Sequence, residues 1–200
     1  IFFIINLFIS MQLFSQADIV GGEDANIEDY PYNAALISTG GWGGDYAFCG
    51  ASIINEYWIL TAAHCVQGES ANSTGVRVGS DADYAQGGAS YDAQEIIIHE
   101  NYSSSGNNWD IALIKLTDPI TFNNKTQPVL LMCSQQEALG VQDSGEMAWV
   151  TGWGNTEGTT NSTQLQVVGV PITTQSDYWN IFDDEIMAGY PNGGYDSCQG

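Results

Sequence analysis

Beyond residue 17, almost no stretch of this chain keeps a helical apolar period; it breaks instead into short apolar or alternating runs. Such runs fall at 33–38, 51–54, 58–61, 76–79, 94–99, 111–116, 148–151, 165–170 and 186–188. Glycine pairs, Asn-Asn, Asp and Ser clusters lie between them. Successive side chains of a strand point to opposite faces, so a short alternating run suits a half-buried strand. The intervening residues are those that turns require. Many short strands at regular spacing predict an all-β sandwich or barrels, and the pattern alone does not choose between them. One segment, 177–184, suits a short helix with Ser176 as its N-cap. The chain's 200 residues suffice for one all-β domain with a sizeable core. No internal repeat and no low-complexity linker interrupts it.

The charge balance excludes whole classes of partner. There are 24 acidic residues against three basic ones, Arg77, Lys115 and Lys125, for a net charge of −21. A nucleic-acid binder needs a basic surface to displace counterions, so no nucleic-acid partner is expected. Docking on an anionic membrane is disfavoured for the same reason. Solubility, or adaptation to a harsh medium, accounts for the acidity, and attraction of cationic substrates would be a second effect.

The first 17 residues are nearly all apolar, from Ile1 to Phe14, and end in Ser15-Gln16-Ala17. That length is short for a membrane span, and small residues occupy the positions a signal peptidase inspects. Residues 1–17 are therefore expected to be part of a secretory leader, and the protein to be extracellular. The chain has four cysteines, Cys49, Cys65, Cys133 and Cys198. In a secreted protein they are expected to form disulfides. Asn-x-Ser/Thr sequons at Asn72, Asn101, Asn124 and Asn161 would be glycosylation acceptors in a eukaryotic secretory pathway.

Three strings carry chemistry. Trp58-Ile59-Leu60-Thr61-Ala62-Ala63-His64-Cys65 is a buried-type strand that ends in small residues and delivers a histidine beside a cysteine. Asp110-Ile111-Ala112-Leu113-Ile114-Lys115-Leu116 places an aspartate at the start of an apolar strand. Asp196-Ser197-Cys198-Gln199-Gly200 closes the chain. An acyl-transfer enzyme activates a weak hydroxyl nucleophile with a neutral imidazole, and holds that imidazole with a carboxylate. His64 and Asp110 suit the base and the orienting group. With only two histidines, His64 and His99, there is little choice of base.

In this order the strings resemble the trypsin–chymotrypsin family of serine proteases. Ile19-Val20-Gly21-Gly22 resembles the family's mature N-terminus, and Thr61-Ala62-Ala63-His64-Cys65 its histidine motif. Asp110-Ile111-Ala112-Leu113 matches the aspartate motif, and Thr151-Gly152-Trp153-Gly154 the turn that begins the second barrel. Ala188-Gly189-Tyr190 and the closing string resemble the lead-in to the nucleophile. The resemblance implies an all-β fold of two six-stranded antiparallel β-barrels, about 33–120 and 135–200, the second incomplete in this chain. It implies His64 as general base and then acid, and Asp110 as its orienting partner. It gives the Gly200 N–H as one oxyanion-hole donor and Asp196 as the base of a pocket for Lys or Arg. Substrates would be proteins or peptides containing Lys or Arg, with no cofactor and a monomeric enzyme.

The same resemblance implies a Cys49–Cys65 bridge, with Cys133 and Cys198 unpaired and far apart. Met187 and Tyr178 stand where the family has a further bridge. A new α-amino group at Ile19 would insert beside the nucleophile, and Asp18, which precedes it, would remain as a one-residue pro-segment for another peptidase to remove. The domain proper is then 19–200. The family's Gly-Asp-Ser-Gly-Gly-Pro places the nucleophilic serine two residues past Gly200, so the chain is expected to be truncated. The segment 80–88 is shorter than the family's calcium loop, and despite Asp81 and Asp83 no metal site is expected there. Two other readings compete: a non-catalytic homologue that acts as a binding or regulatory module, and a structural all-β adhesion domain.

Overall fold

The computed structural model describes residues 21–39, 46–80, 87–105, 109–154, 164–173, 186–190 and 193–195. The expected leader, the 177–184 helix and the Asp81/Asp83 loop lie outside these residues. In chain order the strands are β1 (Glu23–Asp24), β2 (Asn33–Ser38), β3 (Tyr46–Ile53), β4 (Trp58–Thr61), β5 (Thr74–Val78), β6 (Ala89–Ile98), β7 (Ala112–Leu116), β8 (Met147–Gly152) and β9 (Gln166–Pro171). Two short helices accompany them, α1 (Ala63–Val66) and α2 (Ser134–Glu137).

Six strands close into an antiparallel barrel in the order β2-β3-β4-β7-β6-β5. The last seam is β2 against β5, with Leu36 opposite Val76. Alternation sets the inside. Ala112, Ile114 and Leu116 of β7 point inward, as do Leu36 of β2 and Ile53 of β3, and all are buried. Each such aliphatic side chain contributes roughly 1.5–3 kcal/mol of burial.

β2 is buried on both faces, which explains its unbroken apolar run. Ala34 and Leu36 face the barrel core. Ala35 and Ile37 face the opposite way, into a second cluster with Ala25, Ile27, Trp153, Leu165 and Val167. That cluster is the seam between the barrel and a three-stranded sheet ordered β1-β9-β8. A polar link crosses it. The Thr151 hydroxyl donates to Asn33 Oδ1 at 2.8 Å, and Asn33 Nδ2 donates to the Tyr30 carbonyl at 2.9 Å.

β3 begins five residues before the expected run and β6 five residues before its own. In both places the neighbouring strand extends the ladder: Tyr46 pairs with Ser38, and Asp92 with Gly75. The run at 186–188 does not form a strand. It makes one isolated bridge, Ile172 to Ala188. β1 was not expected at all; its two residues pair with Gln166 and Val167.

Candidate active site

The two strands that carry the motifs are neighbours. β4 pairs with β7, with Thr61 opposite Ala112. Each chemistry-bearing residue sits just past one end of this pair: His64 follows β4, and Asp110 precedes β7. The motif's small residues explain the approach. Ala63 is fully buried beneath the helical turn α1, and Val66 plugs the barrel end. A larger side chain at 63 would push the turn, and His64 with it, off the barrel. The Thr61 hydroxyl donates to the Gly50 carbonyl at 2.9 Å, so the last strand residue is tied to β3. The Cys49–Cys65 disulfide adds a covalent tie between β3 and α1, with Cα atoms 6.1 Å apart.

Asp110 grips the histidine twice. Its Oδ1 accepts the His64 backbone N–H at 2.7 Å. Its Oδ2 lies 2.6 Å from His64 Nδ1. The first bond fixes the turn and the second fixes the ring. A carboxylate at Nδ1 selects the tautomer with its proton on Nδ1, leaving the Nε2 lone pair free. The carboxylate is the more sheltered partner: side-chain exposure is 23% for Asp110 and 55% for His64. A shielded acceptor and an open imidazole make a base that can reach a substrate.

The backbone around Asp110 is shaped for this grip. The Ile111 N–H bonds the Trp109 carbonyl at 2.7 Å, a three-residue turn centred on Asp110. Trp109 has φ 56°, a left-handed conformation that costs a bulky residue about 1–2 kcal/mol. Its indole stacks on the His99 imidazole, with centroids 4.8 Å apart and planes 6° from parallel. His99 enters the sequence reading only as the second histidine, and Trp109 is not singled out there at all. The available signal was an aromatic residue directly before the motif aspartate.

Ile19, Asp196 and Gly200 lie outside the described residues, as does Cys198. Their chain neighbours meet, however. Gly21 has φ +72°, and a Cβ added there would overlap the Tyr195 ring and come within 2.9 Å of the Gly194 carbonyl oxygen. Tyr195 in turn packs on Tyr190 with ring centroids 5.5 Å apart. The residues that follow Ile19 therefore touch the residue that precedes Asp196. Cys133 is free and exposed. No helix among the described residues is long and apolar enough to cross a membrane.

A closed six-stranded antiparallel barrel beside a second antiparallel sheet is the architecture of the chymotrypsin-like fold. Comparison with known sequences takes this further. The trypsin family model matches residues 19–200. Trypsin-1 of Astacus astacus is 39% identical over 194 residues, covering 91% of this chain and 79% of that protein. Trypsin-2 of Salmo salar is 38% identical over 190 residues, covering 91% and 75%. Serine protease 1 of Rattus norvegicus is 36% identical over 191 residues, covering 91% and 71%. The chain belongs to the trypsin family of serine proteases.

Proposed function

We propose that the protein is a secreted endopeptidase that cleaves peptide bonds after Lys or Arg, and that residues 19–200 belong to its catalytic domain, with 1–17 a leader and Asp18 a residual pro-segment. The observation that carries this reading is the 2.6 Å contact of His64 Nδ1 with Asp110 Oδ2, which leaves Nε2 as the free nitrogen. His64 takes the proton of an attacking serine hydroxyl and returns it to the leaving amine. Asp110 stabilises the imidazolium formed between those two steps and does not itself take the proton. The serine is the residue two places past Gly200 in the whole protein. The Gly200 N–H donates to the oxyanion of the tetrahedral intermediate. Asp196 at the pocket base receives the substrate's Lys or Arg side chain as a charge-assisted pair. Ile19, once freed, supplies the α-amino group that holds the pocket in order, and the contact of Gly21 with Tyr195 supports a course that brings it there.

The test uses the whole, N-terminally processed protein. It should hydrolyse Arg- and Lys-amide substrates far faster than neutral ones, and a serine-directed sulfonyl fluoride should label it once and abolish turnover. No turnover and no labelling would instead mark a non-catalytic binding module. Turnover with equal rates on neutral substrates would remove Asp196 from its assigned role.

A further inference from the structure

The nitrogen of His64 that Asp110 leaves free lies against sulfur. Nε2 is 3.5 Å from Cys65 Sγ. The ligand atoms of Cys49, His64 and Cys65 all lie within 4.8 Å of one another, the one such Cys/His grouping among the described residues. In the oxidised protein both sulfurs are tied in the disulfide and neither is a thiolate. We propose that reduction of the Cys49–Cys65 bridge turns this corner into a site for Zn²⁺ or Co²⁺, held by two thiolates and His64 Nε2, with water in the fourth position.

The geometry is close to what a tetrahedral ion needs. With Zn–S about 2.3 Å and Zn–N about 2.0–2.1 Å, the N···S edge of a tetrahedral site is about 3.5 Å and the S···S edge about 3.8 Å. The first edge is already present between Nε2 and Cys65 Sγ. The two Cα atoms are 6.1 Å apart, so the freed sulfurs can part to the second edge by side-chain rotation. Asp110 completes the arrangement. A carboxylate that accepts the Nδ1 proton is what orients metal-bound histidines elsewhere, and it raises their basicity. The pair that makes His64 a base therefore also makes it a ligand. Two sulfurs and an imidazole favour borderline and soft ions over Ca²⁺ or Mg²⁺. The net charge of −21 raises the local concentration of any cation.

The chemistry balances. A dithiol or phosphine reductant supplies two electrons and is itself oxidised, and the bridge takes up two protons to become two thiols. Binding one Zn²⁺ or Co²⁺ then releases those two protons. With its lone pair on the metal, Nε2 no longer accepts a proton. This last consequence rests on the proposed role of His64 as base; the site itself does not.

The experiment uses the whole protein carrying Cys133→Ser, reduced with a phosphine and titrated with Co²⁺. One equivalent should bring up thiolate-to-cobalt charge-transfer absorption and intense visible d–d bands, absent before reduction. His64→Ala should weaken binding at least tenfold. Asp110→Asn should weaken it by about 10–100-fold. The double variant Cys49→Ala/Cys65→Ala should show no such band. If reduction alone collapses the barrel's circular dichroism, one equivalent of Zn²⁺ should restore it. The proposal is overturned by a folded, reduced protein without the bands, by bands that persist in the double variant, by unchanged affinity in His64→Ala, or by a collapsed barrel that Zn²⁺ does not rescue. Bands that form without loss of peptidase turnover would support the site and instead remove the role of His64 as base.

Discussion

The barrel and the three-stranded sheet are built from similar strands, yet they hold their residues differently. In the barrel every strand has two partners. Its central side chains, among them Ile53, Ile59, Ile114 and Leu116, are fully buried. In the sheet only β9 has two partners among the described residues. β8 leaves Met147 46% and Trp149 59% exposed on one face, while Ala148 and Val150 join Val168 and Val170 on the other. The His64–Asp110 pair is built entirely from the closed region, at one end of the β4–β7 ladder. The pair is therefore held in place by the barrel's own strands and the turns at their ends.

The sharpest way to break this contrast is at the pair itself. Asp110→Asn should lower kcat/KM on an Arg-amide substrate by about 10⁴-fold, because it removes the acceptor that fixes the tautomer. Its effect on thermal stability should be small by comparison; a large loss of stability would mean that the pair also holds the barrel mouth together. The core comes next. Ile114→Ala should destabilise by about 2–5 kcal/mol in a denaturant titration, since its cavity lies inside a ring of strands that cannot collapse inward. The contrasting variant, Trp149→Ala on the sheet's exposed face, should cost only about 0.5 kcal/mol. Equal losses would show that the sheet packs as tightly as the barrel.

Removing the bridge as Cys49→Ala/Cys65→Ala should cost about 3 kcal/mol, the loop-closure term for a loop of about 15 residues. A much smaller loss would show that the ladders of β3 and β4 already hold α1 in place. The smallest effect concerns pH. Burial, then the neighbouring Tyr32, Asp29 and Glu23 charges, raise the Tyr30 phenol above its usual value. The folded state thus holds that proton more tightly than the unfolded chain does. The corresponding stability is fully present below pH 10, where the free phenol titrates, and fades as pH rises through the raised value. Tyr30→Phe should flatten this alkaline decline, read as the thermal midpoint against pH. An unchanged slope would place the decline elsewhere.

Much of the barrel was legible because its strands are apolar on alternate positions. The run 58–61 coincides with β4, and 33–38 with β2, whose two buried faces leave no ambiguity. The His64–Asp110 pairing was legible only through motif order, since no local pattern spans their separation of 46 positions. The Cys49–Cys65 bridge was likewise implied by resemblance, and it is present. β1 was invisible, because two acidic residues have no period to read; they are held by backbone pairing with β9 and by the Gln166 side chain, which donates to Asp24 Oδ1 at 2.6 Å. The 186–188 run misled because its apolar residues suit a strand, while the backbone meets β9's end at a single bridge. Trp109 could not be foreseen in a left-handed conformation, since its side chain disfavours it; the stack on His99 compensates.

The pairing of β1 with β9 sets a timetable on the ribosome. Glu23 sits opposite Val167 in the ladder, so its strand waits for roughly 140 further residues, on the order of ten seconds of elongation at common rates. All six strands of the barrel lie between Asn33 and Leu116, and they emerge well before that partner does. A nascent chain can thus assemble its His64–Asp110 corner while the amino-terminal segment is still untethered.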